Sequence, residues 1–116
     1  MITEELKEQI ITSMIWLDNC KGQEISIIDR ISTVKENFDR HFTTTSNYLF
    51  VVEDFGVRTS GAIARIEGRN IVFQFRTYSV TSIEQKENQV QFDLNIKETI
   101  FRRIEIKKIK PVPNNV

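Results

Sequence analysis

The spacing of apolar residues changes along this chain from helical to alternating, and that change limits the fold more than any composition figure. Up to Phe42 the apolar residues recur every three or four positions, as on a helix with a buried face. From Tyr48 onward they alternate with polar residues, as on strands with one face buried. Between the two regimes, Thr43-Thr44-Thr45-Ser46-Asn47 has no apolar partner and reads as a loop.

The first helix has clear ends. Thr3 is a cap, Glu4 and Glu5 suit the first turn, and Lys21-Gly22 supplies a stop. Ile2, Leu6, Ile10, Met14 and Leu17 fall on one stripe. Ile11 and Ile15 form a second patch, and Trp16 points a third way. A helix apolar on several sides needs more than one partner. These three residues either meet the second helix or form an interface with another protein.

Ser26-Ile27-Ile28-Asp29 resembles a capping box, and Ile27, Ile31, Val34, Phe38 and Phe42 follow at helical spacing. The expectation is a second helix. The alternation of Ile25 and Ile27 leaves a strand open over Glu24–Ile28. Strands follow at Tyr48–Asp54 (ended by Phe55-Gly56), Arg58–Ile66, Ile71–Tyr78, Val90–Ile96 and Ile100–Ile109. Turns are expected at Glu67–Asn70 and Lys86–Gln89. The fold class is therefore α+β: two N-terminal helices packed on a curved antiparallel sheet of about five strands. That sheet is a meander, either open or barrel-like. One domain over residues 1–110 with a short tail at 111–116 suits a chain of 116 residues.

Compartment and charge narrow the field. The opening residues carry acids where a secretory leader carries bases, and no run approaches the roughly 20 apolar residues of a membrane helix. A single cysteine, Cys20, cannot form an internal disulfide. The expectation is a cytoplasmic protein that does not engage a membrane. The formal net charge is zero. Residues 1–54 hold five bases against ten acids, a net of −5, and residues 55–116 hold eleven against six, a net of +5. Such a split bears on partners, not on fold.

Most catalytic chemistries lack their residues. One His and one Cys cannot build a zinc cluster. His41 has no identifiable nucleophile or orienting acid and reads as a helix-edge residue. Cys20 sits at a helix C-terminus, where the dipole raises its pKa and disfavours a reactive thiolate. Gly56-Val57-Arg58-Thr59-Ser60-Gly61 has the glycine spacing of a phosphate loop, but Ala62-Ile63 stand where Lys and Ser/Thr are required. Glu4-Glu5 is explained by capping, and Glu53-Asp54 point to opposite faces of a strand. No catalytic residue, metal ligand or cofactor site emerges.

Two features remain as candidates. Ile11, Ile15 and Trp16 are a candidate interface. Arg58, Arg65, Arg76, Arg102 and Arg103 lie on expected strands with aromatics between them, the ingredients of an anion or nucleic-acid platform. The leading expectation is a non-enzymatic protein-interaction domain: a small regulator, inhibitor, immunity-type protein or assembly subunit, with a protein partner or a second copy. The alternative is nucleic-acid or phosphate binding, provided Arg65, Arg76 and Arg102 share an exposed face with few acids. The third is a ligand pocket or enzyme site between helices and sheet.

Overall fold

The computed structural model describes residues 3–35, 37–39, 43–58 and 62–109. Among them there is one helix, not two. α1 spans Glu4–Asp18. Thr3 Oγ1 accepts from the Leu6 amide at 3.1 Å, and Glu4 and Glu5 occupy the first turn. Asn19 closes the helix by donating to Ile15 O, and Gly22 at φ 85° redirects the chain.

The segment expected as a second helix begins instead with β1, Glu24–Ser32. Ile27 and Ile31 are four apart, a spacing that suits one helix face and one strand face equally. The composition decides between them. Ile25, Ile27, Ile28 and Ile31 are β-branched, which costs rotamer freedom in a helix and fits a pleated sheet. After β1, Ser32 Oγ donates to Asn37 O at 2.7 Å and accepts from Val34 N at 3.0 Å, closing a tight return. Phe42, the end of the expected helix, and His41 lie outside the described residues.

Seven more strands follow: β2 Thr43–Val51, β3 Asp54–Arg58, β4 Ile63–Gly68, β5 Ile71–Arg76, β6 Val80–Lys86, β7 Gln89–Lys97 and β8 Ile100–Lys108. The threonine-rich stretch read as a loop is the first half of β2. Phe55-Gly56, read as a strand end, lies inside β3, and β6 was not anticipated. The expected meander of about five strands is thus corrected to two antiparallel sheets, neither closed into a barrel. The large sheet has the order β2-β1-β8-β7-β6 and the small one β3-β4-β5. The first and last strands are neighbours, with Ile27 opposite Ile106.

One core joins both sheets to the helix. The inner face of the large sheet contributes Ile25, Ile27, Val90, Phe92, Leu94, Ile104 and Ile106. The small sheet adds Phe55, Ala64, Ile66, Phe73 and Phe75, α1 adds Trp16 and Leu17, and the turn after it adds Cys20. Phe75 meets Phe92 at 4.8 Å between ring centroids, and Tyr48 meets Phe73 at 5.7 Å, so aromatics bridge the sheets. Asn70 at φ 65° turns the β4–β5 hairpin. Gly68 there lies so close to Phe50 that a Cβ would collide with its ring.

Candidate interaction surfaces

The way α1 docks decides the fate of its apolar residues. Ser13, Trp16, Leu17 and Cys20 form the buried stripe at helical spacing, with Leu6, Ile10 and Met14 packed beside it. At about 100° per residue, Ile11 and Ile15 fall on the opposite side. They stay 55% and 59% exposed. The second helix expected to cover them does not exist among the described residues.

Trp16 has a different role from the two isoleucines it was grouped with. It is buried, its Nε1 donates to Glu87 O at 3.1 Å, and the Lys108 ammonium sits 4.8 Å from its ring centroid. It ties α1 to the β6–β7 turn and to the end of β8. The apolar patch of α1 instead continues onto the small sheet. Ile10, Ile11, Met14, Ile15 and Asp18 line an open groove of about 440 Å³ with Val57 and Thr77.

The five candidate arginines are spread over three surfaces. In antiparallel pairs, opposite residues share a face. Arg58 lies opposite Ile63, Ile63 opposite Arg76, and Arg65 opposite Gly56 and Gln74, so Arg58, Arg65 and Arg76 share the outer face of the small sheet. Arg65 Nε is 2.7 Å from Glu67 Oε1, an ion contact without the alignment of a hydrogen bond. Arg76 lies 5.9 Å from the Tyr78 ring centroid.

Arg102 faces inward from β8. Its Nε and Nη2 donate to the two oxygens of Asp29 at 2.8 Å each, and its guanidinium lies over Phe73 at 5.4 Å. Arg103 faces outward from the large sheet and is forked onto Asp93 at 2.8 and 3.0 Å, over Phe38 at 4.5 Å. Its hydrogen bonds to Asp93 raise its pKa against the opposing pull of burial. Arg30 on the same face pairs with Glu105 at 2.9 Å. The condition set for a platform, that Arg65, Arg76 and Arg102 share an exposed face, is not met.

Asp29 is the residue that sequence reasoning misplaced most. Read as a helix-capping acid, it is 8% exposed and follows Ile25 and Ile27 on the inner face of β1. The signal was its position two residues beyond Ile27, which only a strand reading makes inward.

The remaining chemistry is sparse. Among the described residues, no three of His, Cys, Asp and Glu stand close enough to hold a metal. Cys20 is buried, with Sγ 3.4 Å from Trp16 O, and desolvation raises its pKa against the lowering pull of Lys108. Gly56 sits within a strand, not before a helix, and Thr59, Ser60 and Gly61 are outside the described residues. Glu53 and Asp54 are both exposed. Trp16, Leu17, Cys20 and Phe92 belong to one buried hydrophobic cluster. A groove along α1 and β6 is open and carries Glu5, Glu8 and Glu87 against Lys86. No helix among the described residues is long and apolar enough to cross a membrane. The chain matches no protein-family profile, no characterised protein and no solved structure.

Proposed function

We propose that this chain is a non-enzymatic protein-interaction domain that docks its partner in the groove between α1 and β3. One observation carries the reading: Ile11 and Ile15 stand more than half exposed beside Val57, itself 41% exposed. Two adjacent exposed isoleucines on a helix, continuous with an exposed valine, are the kind of patch that marks a contact site. The exposed charges of α1 are mostly acidic, Glu4, Glu5, Glu8 and Asp18 against Lys7. The fitting partner is a protein segment with an aliphatic or aromatic anchor and basic flanks, and salt would slow its association.

The test is a photo-cross-linking side chain at Ile11, with a control at Gln85 on β6, in cells that make the protein. A single adduct at position 11, absent at 85, supports the reading. Adducts equal at both positions, or none, contradict it.

A second reading survives in narrowed form, because Arg58, Arg65 and Arg76 share the outer face of the small sheet. Phosphate binding there would engage at most these three cations. Its salt dependence would be shallow, roughly 0.7 in log K per neutralised phosphate on a single strand.

A further inference from the structure

Four sheet edges are present among the described strands: β2 and β6 in the large sheet, β3 and β5 in the small one. Edges invite further strands, and charged side chains are a common protection. β6 carries Glu84 and Lys86, β3 carries Asp54 and Arg58, and β5 carries Arg76. β2 has the sequence TTTSNYLFV, nine residues without a charge or a proline. No backbone hydrogen bond reaches its outer side among the described residues.

The groups on that edge can be assigned. Val52 N donates to Gln23 O, so the ladder with β1 repeats at every second residue from there: Phe50, Tyr48, Ser46 and Thr44. On β1 the alternate residue Glu24 turns its carbonyl to Ile109 beyond β8, in agreement. The amides and carbonyls of Thr43, Thr45, Asn47 and Leu49 therefore point away from the sheet. Beyond Leu49 the hairpin at Gly68 closes on Val51 O, so the open run is Thr43–Leu49.

We propose that this edge pairs with the same edge of a second copy, antiparallel across a twofold axis at Ser46, joining two five-stranded sheets into one. A twofold axis makes identical edges antiparallel, and the midpoint of the open run is Ser46. That register sets Thr43 opposite Leu49 of the second copy and Thr45 opposite Asn47, and every outward amide of the run finds a carbonyl. Ser46 then faces its own equivalent in a non-hydrogen-bonded pair, where backbones approach to about 4.5 Å and a small side chain is needed. An uncharged edge on a chain of zero formal charge meets no repulsion from its copy. Leu49, 64% exposed, gains a neighbour. One strand pair is a small interface, so the dimer is reversible and grows with concentration. It uses a surface remote in sequence from Ile11 and Ile15 and stands or falls apart from the docking groove.

The experiment is sedimentation of the full chain across concentration, with two variants. Asn47→Pro removes an outward amide while leaving the β1 ladder intact. Ser46→Cys places thiols at the axis, within the roughly 4.4–6.8 Å Cα range of a disulfide. The expected results are a dimer fraction that rises with concentration, its loss in Asn47→Pro, and ready oxidation of Ser46→Cys to a disulfide dimer. Thr81→Cys on the opposite edge should stay monomeric when oxidised. The Ser46→Cys comparison holds even if Asn47→Pro does not fold. A monomer at every concentration up to roughly 1 mM, a range that detects even weak pairing, overturns the proposal. So does equal oxidation of Ser46→Cys and Thr81→Cys.

Discussion

At the scale of single residues, α1 carries two kinds of apolar side chain. Leu17 is 1% exposed, and Leu17→Ala should cost about 2–5 kcal/mol in denaturant unfolding. Ile15→Lys should stay within about 0.5 kcal/mol, because an exposed side chain leaves no cavity. The pair Asp29–Arg102 is held in a half-closed site, with side chains 10% and 18% exposed. Removing one partner strands the other charge, so Arg102→Met alone should cost about 3 kcal/mol. Asp29→Leu combined with it should recover much of that loss. For Cys20 the sign runs from its raised pKa. The folded state holds the thiol proton more tightly than the unfolded chain, whose value is near 9.0. Its contribution is constant well below that pH and is lost as pH rises through it, because the unfolded thiol then ionises. Stability measured from pH 8 to 10.5 should therefore fall less steeply in Cys20→Ala.

At the scale of elements, β5, β7 and β8 were readable because they alternate, whereas β6 was missed and the strand expected over Arg58–Ile66 begins on the last residue of β3 and ends inside β4. Phe73 and Phe75 are buried between exposed Val72, Gln74 and Arg76. Val90, Phe92 and Leu94 are buried as their spacing implies, and so are Ile104 and Ile106, but Ile96, expected on the same face as Leu94, is 41% exposed. The turns fall at Arg69-Asn70 and Glu87-Asn88, within the expected stretches. The N-terminal half misled for identifiable reasons. Ile27, Ile31 and Val34 have helical spacing, yet Ile27 and Ile31 share one face of β1, with Ile27 fully buried and Ile31 near the strand end 43% exposed, and Val34 lies beyond the strand and is 39% exposed. The pairing of β1 with β8 joins residues some 75 apart, and no local pattern announces it. The threonines of β2 looked like a loop because this half of the edge strand carries no apolar residue to show alternation. Gly68 is a further element-level test. Gly68→Ala would push β4–β5 off Phe50 and should destabilise by about 1–3 kcal/mol.

At the scale of the molecule, the halves that differ in charge in the sequence are paired strand to strand. β1, from the acidic half, lies against β8, from the basic half, and Asp29–Arg102 and Arg30–Glu105 bridge them. Arg102 is taken up in this way, and Arg103 pairs with Asp93 of the neighbouring β7, which the sequence could not reveal because the strand pairing was hidden. The candidate interface was half legible. Ile11 and Ile15 emerged as a separate patch from helical angles alone, whereas Trp16 was misgrouped because its partner, the Glu87 carbonyl, lies 71 positions away. Nucleic-acid binding to the remaining arginines should be weak. Fluorescence anisotropy with a labelled single strand at low salt should show little change, and measurable binding with a shallow salt dependence would instead favour the phosphate reading.

The docking groove is tested most directly by the cross-link from position 11 in an Ile15→Lys background, with folding stability measured on the same protein. The groove predicts that the adduct disappears while stability is unchanged within about 0.5 kcal/mol. An adduct that persists in the folded Ile15→Lys protein would contradict it.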